Sequence, residues 1–532
     1  MVWGTTVPTA MGYAQVAGLP VQMGLYASIA ALTCYAIFGT SSLLKVETSP
    51  SMSIMSAVII TLLARGDVNY YISLSAALAV IIGIMLIIAA IARMGFLSDF
   101  MAKPVIVGFL FGLALIVIIQ QIPKLFGVES QFGTGLMQAW DFLLSLSEIN
   151  WITLAISVVS FAILILMRRF FPRFPAALLV IGISVLAVSI FNLTQYGVAL
   201  VGYIPGGLPS FQIPAIRPGD IIYLSLGGIA MLFVTLGESL GTARTFASGR
   251  RNRIDANQEL LALGAANLGA GLFQGFAVGG NPSTTSSSNA ARSKTQLASL
   301  FTAAILILTI ILRVDLIGRT PQAVVSVVVI ISISHLMQSG IMRRFYHTRK
   351  TDFILAMIAL LGVLVLGIFP GLVISVLLSL LAVLYHSSQP RISVLGKLPH
   401  HEGYADIEEN PEIILYPGIL ILRPNVPLFF ANANLVQANI INLVHGTPQP
   451  TRSIILDLSA SNDLDIAVTD MLSGLIKDLS QDDMQVMIAD AGSSTIIQLK
   501  NAKVINLLPT GKVYRNIQEA IDAALNPIQA QD

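Results

Sequence analysis

The sequence has almost no cysteine and little charge. A single cysteine, Cys34, stands among 532 residues, which excludes an intramolecular disulfide framework and any cysteine-based metal cluster. It lies in an apolar run and reads as packing. Charged residues make up 11% of the chain, less than half of the roughly 25% found in soluble globular proteins. The six histidines are scattered. His400 and His401 are adjacent but have no third ligand at useful spacing, so no metal site is read. No G-x-x-x-x-G-K-[ST] stretch occurs, which leaves no phosphate loop and no basis for an ATP-driven pump. Nothing in the charge pattern supports nucleic-acid binding. No basic n-region precedes the first apolar run, so no cleavable signal peptide is read. That run begins so abruptly at Met1 that the first helix reads as clipped, as if further residues preceded it.

What is present is apolar and unevenly charged. Hydrophobic residues are 55% of the chain. Residues 1–390 carry 21 basic and 12 acidic side chains, a net +9, whereas the last 142 residues carry 9 basic and 16 acidic, a net −7. The pattern is a membrane domain over 1–388, a link over 389–416, and a soluble, mildly acidic domain over 417–528.

A membrane crossing needs about 20 apolar residues, fewer where a helix is broken. Fourteen segments qualify, near 2–17, 20–38, 50–64, 71–93, 103–122, 151–168, 175–193, 221–242, 257–275, 283–295, 297–313, 322–338, 352–368 and 370–387. With the chain entering from the cytoplasm, the inner loops and helix ends carry sixteen Lys and Arg (Lys45 among them) and the outer loops five. That bias fixes the orientation. It places both termini inside.

Glu238 is the most informative residue. It interrupts IIYLSLGGIAMLFVTLGESLGTA (221–243), which is otherwise apolar, small or hydroxylic. A carboxylate near the middle of a membrane helix is expensive, and it usually faces a cavity and binds something. Thr242, one turn on, lies on the same face. A carboxylate and a hydroxyl four residues apart can ligate Na⁺, or the carboxylate alone can carry a proton. A structural alternative is a Glu that pairs with a nearby hydroxyl or Arg to lock helices.

Two short segments correspond. VETSPSMS (46–53) opens the third and GGNPSTTSSS (279–288) opens the tenth. Each is rich in Ser and Thr with a Pro near the first turn, where its missing N–H does no harm. Neither is apolar enough to face lipid. Seven segments apart, they are the mark of two inverted-topology halves. Two half-helix starts that meet at the midplane supply free N–H groups and positive dipole ends, an anion site without a buried Arg or Lys. The alternative is a pair of re-entrant or cytoplasmic loops with ordinary turn chemistry.

Four stretches in order carry a resemblance to a known family. They are PTAMGYAQVAGLPVQMGLYAS (8–28), RMGFLSDFMAKPVIVGFLFGLAL (93–115), RIDANQELLALGAANLGAGLFQGF (253–276), and RISVLGKLPHHEGYADIEENPE (391–412) with PGILILRPNVPLFFANA (417–433). The chain resembles the sulfate permease (SulP) family of anion transporters, with a C-terminal STAS domain. The resemblance implies a polytopic α-helical membrane protein, fourteen transmembrane segments in a 7+7 inverted repeat of core and gate domains, and an α/β STAS domain. It implies a homodimer and secondary active transport of a small inorganic anion by movement of core against gate. Sulfate, bicarbonate, chloride and dicarboxylates all occur in the family, so the fold does not choose the ion.

Carried over residue by residue, the resemblance places the anion site on Thr9 and Tyr13, on Ser49, Ser51 and Ser53, and on Asn281, Ser283 and Thr284. Many members have Gln where Thr9 stands, Gly-Pro where Ser49-Pro50 stands, and Arg where Thr284 aligns. Without that Arg the positive potential rests more on dipoles and on a co-transported cation. Glu238 matches an acidic position of the family's eighth helix. Glu238, Thr242 and Gly280 are the cation-coupling set, with no other metal site and no cofactor besides co-transported H⁺ or Na⁺. Arg250, Arg251, Arg253 and Asp255 read as a solvated topology signal, and Asp99 and Lys103 as interfacial. Glu47 lines the inner vestibule or caps the entry to the third helix.

The tail alternates strand and helix patterns. ILILRP (419–424), SIILDLS (453–459) and MQVMIAD (484–490) read as strands, and 468–481 and 513–525 as helices. Where related anti-sigma antagonists carry a regulatory Ser, this chain has Ile466 and Ala467, which speaks against a phosphoswitch. The leading reading is therefore a non-enzymatic, H⁺- or Na⁺-coupled symporter of sulfate-like or bicarbonate-like anions. It sits in lipid in a bacterial inner membrane, with the STAS domain in the cytoplasm. An exchanger or channel-like conductor on the same fold is the alternative. A membrane scaffold or sensor that recruits partners through its tail is the alternative of another class.

Overall fold

The structure is a computed structural model that describes residues 2–99, 103–128, 136–171, 176–202, 207–247, 254–399, 403–410, 412–447, 450–509 and 511–525. The His400–His401 pair and the Arg250, Arg251 and Arg253 cluster lie outside the described residues. The chain divides into two compact units, 1–379 and 380–532.

The first unit is helical. In chain order it comprises α1 (Val2–Val16), α2 (Val21–Phe38), β1 (Val46–Glu47), α3 (Pro50–Ala64), α4 (Val68–Ile91), α5 (Lys103–Phe126), α6 (Leu136–Leu144), α7 (Trp151–Phe170), α8 (Ala176–Phe191) and α9 (Asp220–Thr235). A π-helical turn, Leu236–Leu240, joins α9 to α10 (Gly241–Ala247). Then follow α11 (Ala256–Leu272), β2 (Gly279–Gly280), α12 (Pro282–Ala290), α13 (Leu297–Gly318), α14 (Gln322–Ile333), α15 (Ser339–Thr348), α16 (Lys350–Leu366) and α17 (Ile368–Ser388), the last of which runs past the boundary at 379.

A helix stands at each of the fourteen predicted segments. Four stretches, Val21–Phe38, Val68–Ile91, Lys103–Phe126 and Asp220–Ala247, are long and apolar enough to cross a membrane unaided. The short amphipathic helices α6 and α15 were not expected. Sequence-local caps set several starts. Asp67 accepts from Tyr70 N–H at 3.0 Å ahead of α4, Asn150 from Thr153 N–H at 3.0 Å ahead of α7, and Asp255 from Asn257 N–H at 2.9 Å ahead of α11. These Asx caps satisfy N–H groups that a helix start leaves orphaned.

The helices pack in two groups. In one, α11 lies against α4 and α2, α9 against α4 and α3, and α13 against α2. In the other, α5 lies against α16, α14 and α7. Helix α1 touches both, through α2 and α3 on one side and α14 and α8 on the other. One expectation fails here. Lys45, taken as an inner-loop charge, is completely buried, and its Nζ donates to Ser299 Oγ at 2.6 Å. Its segment folds inward because β1 pairs in the interior instead of turning at the surface.

The second unit is an α/β domain. Its strands are β3 (Ile392–Lys397), β4 (Tyr404–Asp406), β5 (Ile419–Pro424), β6 (Ser453–Asp457) and β7 (Gln485–Ala489), in sheet order β4-β3-β5-β6-β7. The first two pairings are antiparallel and the last two parallel. Two of these strands come from the stretch read as a link. Helices α18 (Ala433–His445), α19 (Ile466–Gln481), α20 (Ser493–Asn501) and α21 (Ile517–Leu525) cover the sheet.

Alternation along each strand divides the core into two. Leu420, Leu422, Ile454 and Leu456 pack with Val436, Ile440, Leu472 and Ile476 of α18 and α19. Ile421, Ile455 and Met487 pack with Ile517 and Ile521 of α21 on the opposite face. Asp457 is fully buried at the end of β6, where Arg423 Nε and Ser459 N–H donate to its carboxylate. Arg423→Leu is expected to destabilise the domain by about 3 kcal/mol, because it strands a buried charge. Arg423→Leu combined with Asp457→Leu should recover most of that loss. Thermal unfolding of both variants, followed by hydrogen exchange on 392–489, checks the pair.

Candidate functional site

The two predicted half-helices begin side by side. Val46 pairs with Gly280 and Glu47 with Gly279 in an antiparallel ladder, and Asn281 N–H donates to the Lys45 carbonyl at 2.9 Å. Extended backbone at membrane depth is tolerated only where it is buried in protein with its polar groups satisfied. From the ladder the chain passes directly into α3 and α12. Proline holds the first position of both helices. Ser49 caps α3, its Oγ accepting from Met52 N–H at 3.4 Å, and Asn281 caps α12, its Oδ1 accepting from Ser283 N–H at 3.0 Å.

Of the orphan N–H groups at each start, proline supplies none and the cap takes one. Ser51 N–H in α3 and Thr284 N–H in α12 are left with no acceptor inside their own helices. Two such starts side by side carry about half a positive charge each, an arrangement that can hold an anion.

The π-helical turn after α9 closes this arrangement. Such turns are rare and recur at functional sites. Glu238 lies in it, 5% exposed. The Ser51 hydroxyl donates to Glu238 Oε2, and Ser49 Oγ lies 3.1 Å from Ser51 Oγ. Glu238 Oε1 is buried without a hydrogen-bond partner. The next residue, Ser239, accepts from Gly280 N–H at 2.8 Å. Consecutive residues of one turn thus hold the entries of both half-helices. Gly280 is required at this contact, since a Cβ there would lie 2.9 Å from Ser239 Cα.

The other sequence-predicted residues fall around this centre. Thr9 and Tyr13 are buried on α1, which touches α3 and α12. Thr9 Oγ1 donates to the Thr6 carbonyl at 3.2 Å. Ser53 is buried and its hydroxyl donates to the Ser49 carbonyl at 2.7 Å, so its proton serves the helix itself. Thr284 is buried with its hydroxyl 3.4 Å from the Asn281 carbonyl, and Ser283 is half-buried. Thr242 is buried one turn beyond Glu238, with no hydrogen bond joining the two among the described residues.

Several residues at the site escaped the sequence reading. Ser239 gave no signal, because nothing in the sequence marks the π turn. Glu259 is fully buried and accepts from Tyr35 Oη at 2.7 Å, Thr40 N–H at 2.8 Å and Ser41 N–H at 3.0 Å, which fixes the path from α2 into β1. The available signal was a lone Glu in an apolar helix opposite the hydroxyl-rich turn FGTSS. Glu47 is fully buried, and its Oε1 accepts from Asn281 Nδ2 at 3.2 Å. The sequence reading did name this residue, but as lining the vestibule or as a cap of the third helix, and the cap there is Ser49.

Residues 2–359 match the sulfate permease family and residues 410–520 match the STAS domain. The chain belongs to the sulfate permease family. That family is one of transporters, not of enzymes. A relative in Mycobacterium tuberculosis, named "Probable sulfate transporter", is 30% identical over 517 residues, covering 97% of this chain and 92% of the relative. High affinity sulfate transporter 2 of Stylosanthes hamata is 28% identical over 545 residues, covering 97% and 81%. Among solved structures, the murine anion transporter Slc26a9 in its inward-facing state matches with a TM-score of 0.89 at 20% identity, covering 98% of this chain and 90% of that one. The transmembrane domain of the cyanobacterial bicarbonate transporter BicA matches with a TM-score of 0.62 at 20% identity, covering 72% and 94%. These two structures share the fold of the sulfate permease chain described here.

In the STAS domain, Asp465 caps α19 by accepting from Val468 N–H at 2.9 Å, and Ile466 stands 80% exposed at the first helical position. A side chain without a hydroxyl there offers no phosphate acceptor.

Proposed function

We propose that the protein is a secondary active transporter of small inorganic oxyanions, coupled to entry of H⁺ or Na⁺. One observation carries this reading: Glu238 is bonded to Ser51 at the mouth of α3, and its second oxygen is unpartnered. A carboxylate is itself an anion. While charged, Glu238 occupies the hydroxyl and the dipole field that an arriving oxyanion needs. A cation on Oε1 removes the repulsion and releases Ser51 to the substrate. Coupling is the result of that competition.

The site's hydrogen bonds come from hydroxyls and backbone N–H groups, which suit sulfate and bicarbonate alike. The sulfate transporters among the relatives and the bicarbonate transporter of like fold agree with this class. The protein then works as a homodimer in a bacterial inner membrane, and the charge bias of the loops supports a cytoplasmic side for its STAS domain.

Uptake of radiolabelled sulfate and bicarbonate into proteoliposomes, with pH and Na⁺ gradients imposed in turn, tests the proposal. Concentrative uptake under one gradient is expected. Uptake only against a counter-anion would make the protein an exchanger. Ser51→Leu should lower anion affinity by about tenfold, equivalent to roughly 1.4 kcal/mol, read by isothermal titration on the purified protein.

A further inference from the structure

Glu238 is not the only buried carboxylate beside the half-helices. Glu47 is fully buried on β1, and its Oε2 has no hydrogen-bond partner. Thr6, fully buried on α1, has a hydroxyl equally without a partner. The Thr6 and Thr284 hydroxyls are both hydrogen-bonding neighbours of the Glu47 carboxylate, yet neither comes within 3.5 Å of Oε2 in bonding geometry. The other oxygen, Oε1, is held by Asn281 Nδ2 at 3.2 Å, and the same amide group donates to the Thr48 carbonyl at 3.1 Å. The carboxylate is thus oriented by α12 while its second oxygen stays without a partner.

The nearest buried cation does not fill this role. Lys45 is two residues back and its field reaches Glu47, but its Nζ is bonded to Ser299 Oγ at 2.6 Å. Among the described residues the ion pairs shorter than 4.0 Å all lie in the STAS unit. An isolated carboxylate buried without a contact ion is strongly disfavoured. A hydrogen-bond donor would suffice for a structural role, and two hydroxyls stand near without supplying one. The group that satisfies all these oxygens at once carries positive charge.

We infer that Glu47 Oε2, Thr6 Oγ1 and Thr284 Oγ1 form a second cation site, for a dehydrated monovalent ion of the Na⁺ class. The Lys45 ammonium close behind it disfavours a divalent ion, because its repulsion scales with the ion's charge. The site shares α12 and the β1–β2 ladder with the Glu238 site but none of its ligating oxygens. The inference rests on the proposed reading of Glu238 as the first cation site.

The test is equilibrium binding of radiolabelled Na⁺ to the purified full-length chain in choline buffer. Two Na⁺ per chain are expected in the wild type, one in Glu47→Gln, one in Glu238→Gln and none in the double variant. Thr6→Val, which keeps the carboxylate and guards against a misfolded Glu47→Gln, should weaken one of the two sites by about tenfold. Wild-type stoichiometry in both Glu47→Gln and Thr6→Val overturns the inference, as does a wild type that binds no Na⁺ and holds only water there. Halved binding in Glu47→Gln with no change in Glu238→Gln upholds the second site and shows that Glu238 does not hold Na⁺.

Discussion

Glu238→Gln leaves the protein folded and reduces gradient-driven anion uptake on the order of a hundredfold, the scale of a coupling free energy near 3 kcal/mol. Gln has the shape of Glu, and its amide oxygen accepts from Ser51 as the carboxylate does. The half-helix entries therefore stay in register. What disappears is the charge that a cation must neutralise. Anion binding itself is retained or strengthened, because the permanent negative neighbour is gone, and equilibrium exchange of labelled anion continues. The expected result is a split: exchange present, concentrative uptake absent. Proteoliposomes with and without the imposed gradient read both quantities. Undiminished concentrative uptake would sink the coupling role.

The second large effect is expected at Gly24, where α2 meets α1. A Cβ added there would sit 2.0 Å from the Ala10 carbonyl oxygen and 3.1 Å from Ala14 Cβ. That oxygen is backbone and cannot swing aside. Gly24→Ala must push the two helices apart, and overpacking of this kind costs about 1–3 kcal/mol. The displaced helix carries Thr9 and Tyr13, so anion affinity should fall together with melting temperature. Gly182→Ala in α8 is the control, since no atom lies within 4 Å of its added Cβ. It should be neutral or gain up to about 1 kcal/mol from helix propensity. Equal effects at the two glycines would remove close α1–α2 packing as the cause.

Much of this architecture was legible before any coordinates. The helix at Pro50–Ala64 begins where the Ser-Pro signal stands, and the STAS strands Ile419–Pro424 and Ser453–Asp457 follow the apolar runs. Those signals are local: a proline without an N–H, a cap within three residues, an alternation of period two. What stayed hidden depends on distant partners. Lys45 reads as a loop charge until Gly280 is known to pair beside it. Glu259 reads as one more helix residue until Tyr35, Thr40 and Ser41 are seen to converge on it. The π turn at Leu236–Leu240 adds one residue to a helical repeat, and its sequence is indistinguishable from ordinary helix. Glu238 was found because cost alone marks it; Ser239, cheap and small, was not.

The two-rung ladder between Val46–Glu47 and Gly279–Gly280 has a mechanical meaning. Prising the two strands apart would strip amide and carbonyl groups that have no solvent nearby to take up the slack. The strands, their caps and the turn clasping them consequently behave as a single stiff cradle. Under the proposed transport role, a change in which side the solute faces would come from moving that cradle as a unit past surrounding walls instead of opening it.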